Sequence, residues 1–183
     1  MTEQSIIFDA DAVRALLAGR KTQTRRLASS PFRDCRPGDQ LWVKEICLGA
    51  KRTGTGNGEA AAALRDADIV VLRDGWRQDR NGSGRKGAAP TNPRLIWMPA
   101  VHMPRWASRA TIVVESVRTE RLRDISKADA IAESQLRPLA RFFAGLRDPR
   151  SVFAARWNRI HGTPGERWED DPEVVVLGFR LVN

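Results

Sequence analysis

A chain of 183 residues is long enough for one domain with a sizeable core and short for two, and its formal net charge of +9 favours an acidic partner, most simply RNA, DNA or a nucleotide. Two cysteines, Cys35 and Cys47, and two histidines, His102 and His161, show neither a disulfide framework nor metal-ligand spacing, so a disulfide scaffold and a zinc site are not expected. No basic region followed by a long apolar run opens the chain, and no stretch approaches the roughly 20 apolar residues of a membrane span, so a cytoplasmic protein with reduced thiols is expected.

Ile6-Ile7-Phe8 reads as a short buried strand. Asp9 or Asp11 then offers a capping oxygen, and Val13, Leu16 and Leu17 at i, i+3, i+4 predict a helix with one buried stripe. Gly19 stands where a left-handed residue would close that helix. Beyond it, Arg20, Lys21, Thr22, Thr24, Arg25 and Arg26 crowd cations and hydroxyls together. An amine near a hydroxyl can act as its base, but residues three apart on a straight strand point to opposite faces, so Lys21 and Thr24 cooperate only if the chain turns between them. The plain alternative is a solvated basic strand start.

Leu41-Trp42-Val43 predicts a strand after the Arg36-Pro37-Gly38-Asp39 turn, with Leu41, Val43 and Glu45 on one face. A carboxylate beside two core residues needs a partner, so Glu45 is a candidate for a salt bridge to the basic turn or for a ligand contact. Residues 48–93 change character, with glycine-rich turns around Gly54–Gly58 and Asn81–Gly84, a strand at Ile69–Leu72 and a tight turn at Asp74-Gly75. They read as an elaboration of a small barrel, partly disordered at its tips, with neither a phosphate loop nor a dinucleotide fingerprint.

The segment from Trp97 through His102 and Arg105 to Trp106 is aromatic, basic and proline-stiffened, and suits a loop that stacks on a base while an arginine meets phosphate; alternatively the two tryptophans only anchor the loop. Ala110–Val117 predicts a β-branched strand. Ser126-x-x-Asp129 opens a short helix with Ile125 packing back on it and Glu133 near its end, where a carboxylate faces the unfavourable pole of the helix dipole. After a variable loop through Gly145, Asp148-Pro149 starts a helix with Phe153, Trp157 and Ile160 inward and His161 at its end as a dipole partner. Glu173–Leu181 is the closing strand, too apolar to be a dispensable tail.

Gly19-Arg20-Lys21-Thr22-x-Thr24-x-Arg26 resembles the signature of ASCH-domain proteins, relatives of the PUA domain, and in particular the small bacterial amidohydrolases that deacylate N4-acetylcytidine. Pro37-Gly38-Asp39-x-Leu41-Trp42-Val43-x-Glu45, His102–Arg109 and Asp124-Ile125-Ser126-x-x-x-Ala130-x-x-Glu133 are similar to blocks in uncharacterised phage and prophage ASCH proteins. The resemblance covers most of residues 6–47 and 95–181. It implies one α+β domain over 1–183, a PUA-like small mixed β-barrel of five to six strands with flanking helices and an insertion at about 48–93.

The resemblance also implies a site between the Lys21–Arg26 turn, the Glu133 helix and the Trp97–Trp106 loop. There Lys21 would be the base, Thr24 the nucleophile on an acylated exocyclic amine, and Glu133 the proton relay, with Arg26 or backbone amides holding the oxyanion and neither metal nor organic cofactor required. Arg20, Arg25, Arg26, Glu45, Trp97, His102, Arg105 and Trp106 would contact a modified nucleoside or RNA. Two rival expectations are a non-catalytic RNA-binding module and a ribonuclease using the same lysine, threonine and arginine.

Overall fold

The computed structural model describes residues 3–53, 58–133 and 148–182. In chain order these form β1 (Glu3–Ile7), α1 (Ala10–Leu17), β2 (Gln23–Leu27), β3 (Gln40–Lys44), β4 (Cys47–Thr53), β5 (Gly58–Ala61), β6 (Ile69–Leu72), β7 (Trp76–Asp79), β8 (Gly84–Lys86), β9 (Thr111–Arg121), α2 (Lys127–Glu133), α3 (Pro149–Ile160) and β10 (Glu173–Val182). The class is α+β. The described strands form two five-stranded sheets, and neither closes into the single barrel read from the sequence. The chain divides into two compact units, the first built from 11–40 and 112–182, the second from 3–10 and 41–111. No described helix is long and apolar enough to cross a membrane.

In the first unit β10 lies between β9 and β2, antiparallel to β2, with Val176 opposite Arg25 and Leu177 opposite Thr24. Val174 and Val176 pack with Phe153 and Trp157 of α3, Ala130 of α2, and Leu122 and Ile125, which precede α2. Asp148 caps α3 by accepting from the Arg150 amide, and Pro149 fills a first-turn position where a missing N–H costs nothing. α1 ends as expected, with Gly19 at φ 66°. Its buried stripe differs from the reading: Ala12, Val13, Ala15 and Leu16 face inward and Leu17 is 42% exposed. The two alanines let the helix pack closely and shift the stripe's centre one residue back from Leu17. Ile160 is likewise exposed at 65%, because the last turn of α3 runs past the apolar cluster.

In the second unit β4 to β8 make an antiparallel sheet of order β5-β4-β6-β7-β8, whose first and last strands each have one neighbour. Most of the stretch read as an elaboration partly disordered at its tips thus supplies the strands of this sheet; the Gly54–Gly58 turn falls largely on 54–57, outside the described residues. The Asp74-Gly75 turn is where it was placed, with Gly75 at φ 87°. Alternation along these strands buries both faces. Cys47, Val70 and Leu72 pack with Met103 and Ala107 on one face, while Leu48, Ala50, Ile69 and Val71 take Leu95 and Trp97 on the other. β1 and β3 also belong to this unit, joined where the Phe8 amide donates to the Lys44 carbonyl at 3.1 Å. Cys35 and Cys47 are both buried, and neither forms a disulfide.

Candidate functional site

Strand alternation puts Gln23 and Arg25 on one face of β2 and Thr24 and Arg26 on the other. α2 opens where the Asp129 amide donates to Ser126 Oγ at 3.0 Å, and Asp129 and Glu133, four residues apart, share the helix face turned to β2. Gln23 Nε2 donates to the Asp129 carbonyl and carboxylate, both at 2.9 Å. Glu133 accepts from the Arg25 amide at 2.7 Å and from Arg25 Nη1 at 2.8 Å. The same guanidinium reaches Glu120 Oε1 from Nη2 at 2.6 Å and Asp129 Oδ2 at 3.3 Å.

The Arg25 side chain is wholly buried within this ring of carboxylates. Burial opposes its charge, yet Glu133 and Glu120 outweigh that and hold the guanidinium above its ordinary range. Asp129, which burial alone would push up, is held low by Gln23, Arg118 and Arg25. A planar guanidinium with five donors is the side chain that can satisfy several carboxylates at once.

Lys21 and Glu133, 112 positions apart, are brought together: Lys21 Nζ donates to the Glu133 carbonyl at 3.4 Å and to the Gln23 carbonyl at 2.9 Å. Lys21 is 4% and Thr24 1% exposed. The Thr24 hydroxyl accepts from Arg26 Nη1 at 3.1 Å, not from Lys21, and lies on the face of β2 away from Glu133. Lys21 thus meets the main chain of Glu133, whose carboxylate is taken by Arg25, and the threonine is turned aside. Arg26 also covers the Phe32 ring, 5.9 Å from its centroid. Arg20 is half-buried and its amide closes α1 on the Ala15 carbonyl. His161 stacks on Trp157 at 4.0 Å beside Glu166, and burial first, with Arg26 adding, lowers its pKa.

In the second unit Glu45 has a partner other than the basic turn. Arg109 forks onto it through Nε at 2.9 Å and Nη2 at 2.8 Å, and reaches Asp74 through Nη1 at 2.9 Å. Burial pushes Glu45 up against the pull of Arg109, and raises the Cys47 thiol to about 11. Asp74 is different: burial is outweighed by Arg109, the Trp76 amide and Lys86, which hold it at about 2 against an ordinary 3.8. A depressed carboxylate stabilises the fold above its unfolded value and loses that contribution as pH falls through the folded one. The Asp74→Asn variant is expected to lose less stability than wild type between pH 3.8 and about 2, read as the difference in urea midpoints. Glu45 works in the opposite direction and is itself raised by Asp74, so the difference between the two proteins reads Asp74 together with the response of Glu45.

The two sequence blocks Leu41–Glu45 and His102–Arg109 interlock in this unit. Ser108 Oγ donates to the Val43 carbonyl at 2.8 Å, Lys44 Nζ to the Val101 carbonyl at 2.9 Å, and the Glu45 amide to Met103 Sδ at 3.0 Å. Half-buried Trp42 has Lys44 Nζ at 4.9 Å and the exposed Arg105 guanidinium at 5.6 Å from its ring centroid, with His102 exposed on the same loop. Trp97 and Trp106 instead pack on opposite faces of the β5-to-β8 sheet, under Arg73 at 4.7 Å and Arg80 at 4.9 Å. As placed, they anchor their loop. Trp42, Lys44, Gln23, Glu120, Asp129 and Arg109 escaped the sequence reading as site residues. The i, i+4 pair Asp129–Glu133 and the alternation through Trp42 and Lys44 were the available signals.

No family model matches the sequence and no curated protein matches it. Among solved structures it is similar to the hypothetical protein PH0355, with TM-score 0.49 and 10% identity over 99% of this chain and 100% of that one. Another is an ASCH domain from Lactobacillus crispatus, with TM-score 0.41 and 12% identity over 98% and 79% of the two chains. A third is protein EF3133 from Enterococcus faecalis, with TM-score 0.47 and 11% identity over 100% and 82%. All three are likenesses at low score and low identity.

Proposed function

We propose that the chain binds single-stranded RNA through the surface formed by Trp42, Lys44, His102 and Arg105. The observation that carries this reading is a half-buried tryptophan of β3 with an ammonium and an exposed guanidinium within 6 Å of its ring, the guanidinium on a loop tied to β3 by hydrogen bonds and the Glu45–Arg109 fork. A base stacks on the indole, and Arg105 and Lys44 meet the flanking phosphates. The net charge of +9 supplies long-range attraction.

Fluorescence anisotropy with a labelled twelve-nucleotide uridine oligomer tests this. Trp42→Ala is expected to weaken binding by about 1–3 kcal/mol, the worth of one stacked base. Arg105→Gln should weaken it less and reduce the slope of log affinity against log salt by about 1. Binding indifferent to both substitutions, or to salt, rejects the surface.

A second reading has one observation on its side, the approach of Lys21 Nζ to the Glu133 main chain across 112 positions. It is deacylation of an exocyclic amide on a modified nucleoside such as N4-acetylcytidine. The neutral Lys21 amine would take the Thr24 proton, Thr24 would bond to the acyl carbon, Glu133 would relay a proton to the departing amine, and water would hydrolyse the acyl-threonine. An ammonium donating to two carbonyls has no lone pair to offer, and the Thr24 hydroxyl points elsewhere, so this reading requires the turn to rearrange on binding. Chromatography of N4-acetylcytidine reactions decides it: cytidine released by wild type and not by folded Thr24→Ala supports the reaction, and none released by wild type rejects this substrate.

A further inference from the structure

We propose that the groove beside β5 in the second unit receives an extended peptide, which adds a strand to β5, seats an apolar side chain in the groove and places a carboxylate on Arg94. β5 ends its sheet, so its outer main-chain groups have no strand beside them among the described residues. An open edge is a template for another chain, and the small side chains of Ala60 and Ala61 leave room for one to approach.

At the C-terminal end of this strand, where Ala61 lines it, lies a cavity of about 350 Å³. Its floor is Gly49 of β4 against the chain at Ala62; a Cβ on Gly49 would meet the Ala62 carbonyl oxygen at 2.5 Å, so glycine is what lets the two segments close up there. Leu95, Ile96 and Met98 form the other wall. Ile96 is 79% exposed, an apolar side chain waiting for cover.

The single cation in the lining is Arg94. Its amide donates to Asn92 Oδ1 at 2.9 Å, which fixes its main chain, while its guanidinium has no hydrogen-bond or ion-pair partner among the described residues. An aliphatic lining with no aromatic ring and one cation does not suit a stacked base. It suits an aliphatic side chain followed by a carboxylate, held by main-chain hydrogen bonds from the strand edge.

The test is fluorescence anisotropy with a labelled hexapeptide of alternating threonine and valine ending in a free carboxylate. Saturable binding is expected. Arg94→Gln should weaken it about tenfold, and C-terminal amidation by a similar factor that Arg94→Gln no longer changes. Alternate backbone N-methylation of the peptide should abolish binding, since it removes the donors that a new strand needs. No saturation up to about 1 mM peptide overturns the proposal. So does equal binding of the N-methylated peptide, which would mean an apolar groove without strand addition. An Arg94→Gln effect on the uridine oligomer but not on the peptide would also overturn it, in favour of nucleic acid. Because Arg94 is exposed and its guanidinium has no partner among the described residues, its substitution is expected to leave the fold intact. Trp42 is not a lining residue, so failure here and failure of the RNA surface are read separately.

Discussion

Arg25→Ala is expected to cost about 3–5 kcal/mol of stability, because removing one member of a buried ionic group leaves the others uncompensated. Three carboxylates, from Glu120, Asp129 and Glu133, converge on this guanidinium, and the Glu133 carboxylate is nearly as buried as Arg25 itself. Without the cation they repel one another across the β2–α2 junction, and Arg118 compensates only Glu120 and Asp129, from a half-exposed position. Arg25→Lys should recover only part of the loss, since an ammonium offers a point charge in place of a fork. Urea unfolding reads both. A loss below about 1 kcal/mol for Arg25→Ala would mean that water reaches the carboxylates and that the group contributes no more than a surface pair.

The second large effect is at Arg109, where alanine is expected to cost about 3–5 kcal/mol and Glu45→Ala less. The asymmetry follows from connectivity. Arg109 serves two acids, Glu45 and Asp74, and both lose their partner with it. Losing Glu45 leaves Arg109 still paired with Asp74, itself supported by Lys86. Glu45→Met combined with Arg109→Leu should restore part of the loss, as apolar replacements of a buried pair often do. Equal costs for the two single substitutions would remove Asp74 from the account.

Much of this was readable in the sequence where a local rule decides the outcome. Gly19 closes α1, Ser126 and Asp148 start their helices, and the valine run of β10 is a buried strand. The alternation that put Leu41, Val43 and Glu45 on one face is what the strand does, since all three are buried. The ASCH-like blocks pointed to Lys21, Thr24 and Glu133; Lys21 reaches the Glu133 main-chain carbonyl, while the Glu133 carboxylate holds Arg25 and Thr24 accepts from Arg26.

What escaped depended on partners far along the chain. Nothing near Glu45 names Arg109, 64 positions on, and nothing near Arg25 names Glu120 or Asp129. The turn that would join Lys21 to Thr24 could not be read either. It depends on Lys21 preceding the first residue of β2, so that alternation begins at Gln23 and sends Thr24 to the opposite face from Arg25. Trp97 and Trp106 looked like one aromatic surface because sequence proximity says nothing about which side of a sheet a loop crosses; they pack on opposite faces.

The pairing of β2 with β10 also sets the order in which the chain can assemble during synthesis. The β5-to-β8 sheet is built from neighbouring strands, so its contacts are short-range in sequence and complete themselves as residues 47–86 emerge. β2 is made early, yet its only neighbouring strand among the described residues spans Glu173–Val182, so Gln23–Leu27 must wait for nearly the whole chain. Over that interval the nascent protein carries a finished second unit and an unpaired strand with a buried-type arginine on it. That unpaired strand is the segment on which a chaperone, or a premature partner, would act.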